Sequence, residues 1–268
     1  MWPDGRGDDT AGLKHAMHVL AAAAQGIEPQ QLPTVLCETA VELLPVAGAS
    51  VSLTDGGAVR ALWHATDPTA ARLAEAQYTL GDGPCQKAVD LVAPVLASDL
   101  TQGPEARRWP VFAQQAVELG VRSVSSFPLG TNGLVMGTLD LYRDVVGALT
   151  GRNLHVALMA RDALTFALLG LSSGRRGSDA GSDVEVRSWV EAAEADHAEV
   201  HQAVGMIMVQ LGVDPQQALD RLRARAFVQG CTITAMAREV LARTVRFLPE
   251  TTEVERADWQ HGTEEEGR

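Results

Sequence analysis

Residues 120–143 read Gly-Val-Arg-Ser-Val-Ser-Ser-Phe-Pro-Leu-Gly-Thr-Asn-Gly-Leu-Val-Met-Gly-Thr-Leu-Asp-Leu-Tyr-Arg. Two strand-like runs, 121–128 and 134–142, flank the turn Thr131-Asn132-Gly133. Asn-Gly between such runs is a hairpin signal, because both residues tolerate the positive φ of a tight primed turn. A hairpin makes the pair antiparallel, and the neighbouring pattern extends it. Runs at 48–53 and 58–63 join through Asp55-Gly56-Gly57, and 94–97 adds a fifth short strand. Helical spacing of apolar residues marks 11–24, 30–44, about 110–119 and 151–170, with a mixed, partly helical stretch at 67–90. Helices leading and trailing a set of hairpin-joined strands define an α+β unit with an antiparallel sheet.

The chain has 268 residues, which suggests two domains. Hydrophobic residues at 46% and aromatic residues at 4% describe an ordinary globular protein. The sequence 171–185, rich in Gly, Ser and charge, reads as a linker between a sensor-sized unit (11–170) and a shorter segment (186–247). Residues 248–268 form an acidic tail expected to be disordered. Cys37, Cys85 and Cys231 are odd in number and widely spaced, which fits a reducing compartment and no zinc or disulfide framework. The start carries Asp4, Asp8 and Asp9 instead of the basic residues of a signal peptide, and the longest apolar stretch is broken by Arg161 and Asp162. A cytoplasmic location with no membrane contact is expected.

The net charge is -12, which disfavours general electrostatic attraction to nucleic acid. The charge is unevenly distributed. Residues 197–247 hold six arginines against four carboxylates, a surplus of two positive charges inside an acidic chain. That is too few for a non-specific coat and compatible with selective reading of a few phosphates.

Five stretches carry a family resemblance: Leu80-Gly81-Asp82-Gly83-Pro84-Cys85, Pro94-Val95, Arg108-Trp109-Pro110, Gly120–Ser123 leading into Phe127-Pro128-Leu129, and Leu139–Arg143. Together they resemble a GAF domain, a small-ligand sensor module, in the actinobacterial form that precedes an RNA-binding ANTAR module. The resemblance implies a pocket against the sheet lined by Trp63, Cys85, Asp99, Arg108, Trp109 and Phe127. The plainer alternative is that these residues pack a closed core. The motif of cyclic-nucleotide-binding GAF domains is absent. Cys85 reads either as a redox thiol or as a small buried hydrophobe. His64 reads as a solvent-facing residue before a haem ligand, and no cofactor is expected.

From Val186 the apolar positions Val190, Ala193, His197, Val200, Val204, Ile207 and Leu211 follow at alternating intervals of four and three. Such a seam signals a coiled-coil-like helix and favours a parallel homodimer, the alternative being an amphipathic helix packed within its own chain. Leu211-Gly212 ends it, Asp214-Pro215 starts a second helix that stops at Gly230, and Thr232 caps a third. His201-Gln202-Ala203, Gly205, Ala218, Leu222-Arg223, Ala226, Ile233, Ala237 and Val240-Leu241 resemble an ANTAR domain, a three-helix RNA-binding transcription antiterminator. Val204 stands where many members carry a basic residue.

The resemblance implies binding of tandem stem-loops in nascent transcripts. Gln202, Ala203, Gly205, Arg221, Arg223, Arg225, Phe227 and Arg238 are the expected RNA-contact residues, and a solvated arginine face is the alternative for the charged ones. His197 and His201 lack the Glu placement and third ligand of a zinc site, so no metal is expected. No Walker loop, nucleophile elbow or catalytic dyad occurs, and no enzymatic activity is expected. The reading is a signal-responsive antitermination regulator, its sensor coupled through the 151–170 helix. The alternative is a redox-sensing or protein-interaction scaffold dimerising through the coiled coil.

Overall fold

The computed structural model describes residues 6–28, 30–54, 59–131, 133–173 and 198–248. The turn Asp55-Gly56-Gly57, Asn132, most of the expected linker, the heptad positions up to His197 and the tail beyond Leu248 lie outside the described residues. Helices α1 (Arg6–Ala24) and α2 (Leu32–Leu43) precede strands β1 (Gly48–Thr54) and β2 (Val59–Ala65). Then come α3 (Pro68–Leu80), α4 (Pro84–Leu91), β3 (Val95–Ala97), α5 (Gly103–Arg108) and α6 (Pro110–Glu118). Strands β4 (Ser123–Thr131) and β5 (Leu134–Arg143) follow, and α7 (Gly151–Ser173) closes the unit. The C-terminal module consists of α8 (198–211), α9 (Pro215–Val228) and α10 (Ile233–Leu241).

The 120–143 hairpin forms as read. β4 and β5 pair antiparallel from Thr131↔Leu134 to Ser123↔Arg143, with one irregularity beside Gly130. The five strands are ordered β2-β1-β5-β4-β3 and every pairing is antiparallel. The mixed 67–90 stretch resolves into two helices. α7 runs on through Ser173, past the expected linker start, and the short α5 has no counterpart in the sequence reading.

Strand alternation gives the sheet two unlike faces. Ala49, Val51, Phe127, Leu129, Leu139 and Leu141 point into one core, completed by Ala16 and Leu20 of α1, Leu36 of α2, and Ala157 and Leu164 of α7. The residues between them, Ser50, Ser52, Ser126, Thr138 and Asp140, point the other way and are equally buried. Helices α3 and α4 cover that polar face. A third cluster, built on Trp109, Phe112, Ala116 and Val124, joins α6 to α3 through Leu73.

Helix α3 is anchored at its start. Asp67 Oδ1 accepts from the N–H groups of Thr69 and Ala70 at 2.8 and 3.0 Å, and from the Tyr142 hydroxyl at 3.0 Å. Its cap therefore ties the helix to β5. Replacing Asp67 by Ala is expected to cost about 1–2 kcal/mol, read as a lower denaturant midpoint.

The second and third C-terminal helices form as read, with Asp214 Oδ1 accepting from Gln217 N–H at 2.9 Å and Thr232 Oγ1 from Ala235 N–H at 3.1 Å, and the first is described from residue 198 onward. The heptad positions Val200 and Ile207 are buried against Ala218, Leu222, Ala226, Met236 and Val240 of the same chain, and Val204 and Leu211 pack on that cluster. In the described part, the seam is used inside the module.

Candidate functional site

The first candidate centre is the buried polar face of the sheet. Asp140 sits at the middle of β5 and is paired across the sheet with Ser126 on one side and Ser50 on the other. Its Oδ1 accepts from the Ser126 hydroxyl, and its Oδ2 accepts from the Thr138 hydroxyl at 3.1 Å. Burial pushes its carboxyl from 3.8 up to about 6, with the two hydroxyl hydrogen bonds pulling the other way.

Over this face, α3 and α4 are locked together. Gln77 Oε1 accepts from Cys85 N–H at 2.8 Å. Gly83, at φ +138°, leaves no room for a side chain, since a Cβ there would lie 2.8 Å from Gln77 Cγ. Gly83 therefore lets α4 start directly against α3. Cys85 is 2% exposed and burial raises its thiol well above the usual range. That suppresses the thiolate a redox sensor needs, so the residue fits the small-hydrophobe reading.

The expected ligand-lining set does not meet in one cavity. Phe127 points to the opposite side of the sheet from Cys85, and Trp63 packs on that same opposite core. Trp109 is buried in the third cluster, with Arg108 over its ring at 5.1 Å. Asp99 closes a local turn, accepting from Thr101 N–H at 2.8 Å. The physical reason is alternation: neighbours such as Ser126 and Phe127 face opposite layers. His64 is not solvent-facing either. Its Nδ1 lies 3.2 Å from the Thr34 hydroxyl, its Nε2 is buried without a hydrogen-bond partner, and burial lowers its pKa.

The second candidate centre is the C-terminal module. Ala203 is fully buried in its core and contributes packing, which removes it from the expected RNA contacts. Arg238 Nε donates to Glu199 Oε2 at 2.6 Å. Arg221 and Arg225 lie on the exposed side of α9.

Arg223 lies on the other side, against the N-terminal domain. Its side chain is 12% exposed, and its guanidinium abuts Gly81, where a Cβ would come within 2.7 Å. Gly81 caps the C-terminus of α3, so the cation meets the negative end of that helix. Burial lowers the Arg223 pKa, opposed by Tyr78 and by Asp220, 3.7 Å from Nη1.

Arg223 marks a wider contact. Tyr78 of α3 is 6% exposed and belongs to the core of the C-terminal helices. The Ile233 N–H, one of the orphan donors at the start of α10, donates to Thr79 Oγ1 at 3.2 Å, and the Thr234 hydroxyl donates to Glu75 Oε1 at 3.3 Å. Phe227, 53% exposed, stands at the rim of a cleft of about 400 Å³ that it shares with Leu80, Trp109, Phe112 and Arg223. A separate cleft of about 700 Å³ opens along α8, lined by Gln202, Gly205, Met206, Val209, Gln210, Arg243, Val245 and Arg246. It gathers two expected contacts, Gln202 and Gly205, with Arg243 and Arg246.

Comparison with known proteins agrees with this division. The GAF domain family matches residues 27–169 and the ANTAR domain matches residues 190–241. The first match spans more than half of the chain, which therefore belongs to the GAF domain family, and an ANTAR domain follows it. Two domains of these kinds in one chain make a signal-sensing regulator.

Solved structures similar to the chain include the GAF domain of a phosphoenolpyruvate-protein phosphotransferase from Coxiella burnetii. It is 14% identical at a TM-score of 0.47, covering 64% of this chain and 98% of that one. A free methionine-R-sulfoxide reductase from Neisseria meningitidis, solved with its substrate, is 15% identical at a TM-score of 0.42, covering 63% and 96%. A comparison with curated proteins found no match. Among the described residues, no helix is long and apolar enough to cross a membrane, and no cluster of His, Cys, Asp and Glu is arranged to hold a metal ion.

Proposed function

We propose that the chain is a cytoplasmic regulator whose GAF domain senses a small molecule and whose ANTAR domain binds tandem stem-loops in nascent transcripts, preventing terminators from forming. It works as a homodimer that engages two hairpins at once, and by binding alone, without catalysis. One observation carries the coupling: helix α3 belongs to both halves. Gln77 braces α4 over the polar face of the sheet, while the next residue, Tyr78, is buried in the ANTAR core. A ligand that reorganises the polar face moves α3, and α3 moves α9 and α10. The contacts therefore favour α3 as the link, instead of the α7 route expected from sequence.

The test is a gel-shift titration of the full chain with RNA carrying two tandem hexanucleotide-loop hairpins, at several salt concentrations. Binding that requires the open loops and weakens steeply with salt is the expected result. Absence of loop-dependent binding across such RNAs overturns the reading.

A further inference from the structure

Residues on α8 and in the chain after α10 form a cleft that no expectation from the sequence assembled. We propose that this cleft seats an unpaired nucleotide of an RNA loop, with Arg243 and Arg246 on its phosphates and Met206 and Val245 against its base. The proposal rests on RNA binding by the ANTAR domain and names the place where it happens.

Three observations carry it. The first is charge. Among the described residues lining the cleft, two are arginines and none is a carboxylate, in a chain of net charge -12. The cleft shared with the sensor domain differs, since Asp82 and Asp220 line it beside Arg223. Arg238 is likewise matched to Glu199.

The second is space. At about 700 Å³ the cleft falls in the range of small-ligand sites, roughly 300–1,000 Å³, with half-buried Met206 and Val245 and exposed Val209 as its apolar lining and the amides of Gln202 and Gln210 beside them. Loop bases are unstacked and can be seated in such a hollow, whereas paired bases cannot.

The third is Gly205, in the middle of α8. A Cβ added there meets nothing within 4 Å, so packing does not require glycine, and glycine weakens a helix interior. What a side chain at 205 would occupy is the cleft. Arg243 fits the same picture: it holds φ +61°, a conformation glycine adopts more easily, and carries a guanidinium there.

A second copy of the chain is the competing occupant. A two-fold pairing through this face would bring four arginines and no carboxylate of the cleft lining into one interface, whereas a phosphate backbone complements them.

The experiment uses the full chain and the tandem-hairpin RNA, with 2-aminopurine in one loop, read by fluorescence anisotropy and base fluorescence. Variants Gly205→Leu, Arg243→Gly and Arg246→Ala are compared with Arg221→Ala and Arg225→Ala on α9. Removing one phosphate contact is expected to weaken binding about four-fold at ~0.15 M salt and to reduce the salt slope by about 0.7. Gly205→Leu is expected to abolish the 2-aminopurine signal at unchanged helicity. Arg243→Gly, which relieves the positive φ, is expected to fold at least as well as the parent while binding less.

If the parent chain binds the RNA and the cleft variants bind equally, the cleft is not the seat. If the cleft variants lose affinity only because they dissociate a dimer, seen by sedimentation, the face is a self-interface and the proposal fails. If the parent binds no loop RNA at all, the broader RNA reading falls, and this one with it.

Discussion

Asp140→Asn is expected to raise stability by about 3 kcal/mol above pH 6 and to leave it nearly unchanged near pH 4. The sign follows from where the carboxyl titrates. It ionises at about 6 in the folded chain and at 3.8 when free of the fold. Between those values the native state keeps a proton that the unfolded chain has released. Stability must therefore fall as pH rises through that window, and it levels off above about pH 6. Two pH units or slightly more, at 1.36 kcal/mol each, give the ~3 kcal/mol.

Asparagine retains the hydrogen bonding, since its carbonyl accepts from one of the Ser126 and Thr138 hydroxyls while its amide donates to the other oxygen. It carries no charge to desolvate. Urea midpoints for both proteins from pH 4 to 7.5 isolate the effect, because every other carboxylate titrates equally in the two. Parallel curves across that range would show that the Asp140 carboxyl titrates alike in the folded and unfolded chains, so that burial does not raise it.

That residue also shows where sequence legibility stopped. The 120–143 hairpin was readable because period-two alternation and an Asn-Gly turn are local signals. The caps at Asp214 and Thr232 were readable for the same reason. Ser126, Thr138 and Asp140 alternate with Phe127 and Leu139, a pattern that also describes a sheet with one wet face. Only the folding of 67–90 into α3 and α4, turning at Gly81–Gly83, covers that face, and coverage is not written in the strands themselves.

The ligand-lining set has the same origin: the resemblance points to Trp63, Trp109 and Phe127, and residue type alone does not tell which layer each side chain faces. The four-three spacing of Val200 to Leu211 is shared by a coiled coil and by a helix buried in its own bundle. Arg223, by contrast, was decodable. Two residues at 100° each put it some 200° around the helix from Arg221 and from Arg225, so the three could not share one face.

Tyr78→Ala is expected to separate the two domains energetically. The ring is buried among Val200, Ile207, Leu222 and Ile233 and is not part of the sheet cores, so its loss falls on the C-terminal helices. Truncating a buried aromatic costs about 3–5 kcal/mol. A module of about 50 residues has little core to spare, which makes that loss decisive.

Calorimetry should then show a C-terminal transition moving to lower temperature while the sensor transition stays in place. Amide exchange in α9 and α10 should accelerate by about 10²–10³-fold, with little change in β4 and β5. Tyr78→Phe, keeping the ring, should behave nearly as the parent. A single unshifted transition in Tyr78→Ala would mean that α3 does not support the ANTAR core. The consequence reaches function because Gln77 and Tyr78 are consecutive. Cutting the second leaves α4 still braced over the sheet, so the sensor retains its polar face while the RNA-binding half no longer feels it.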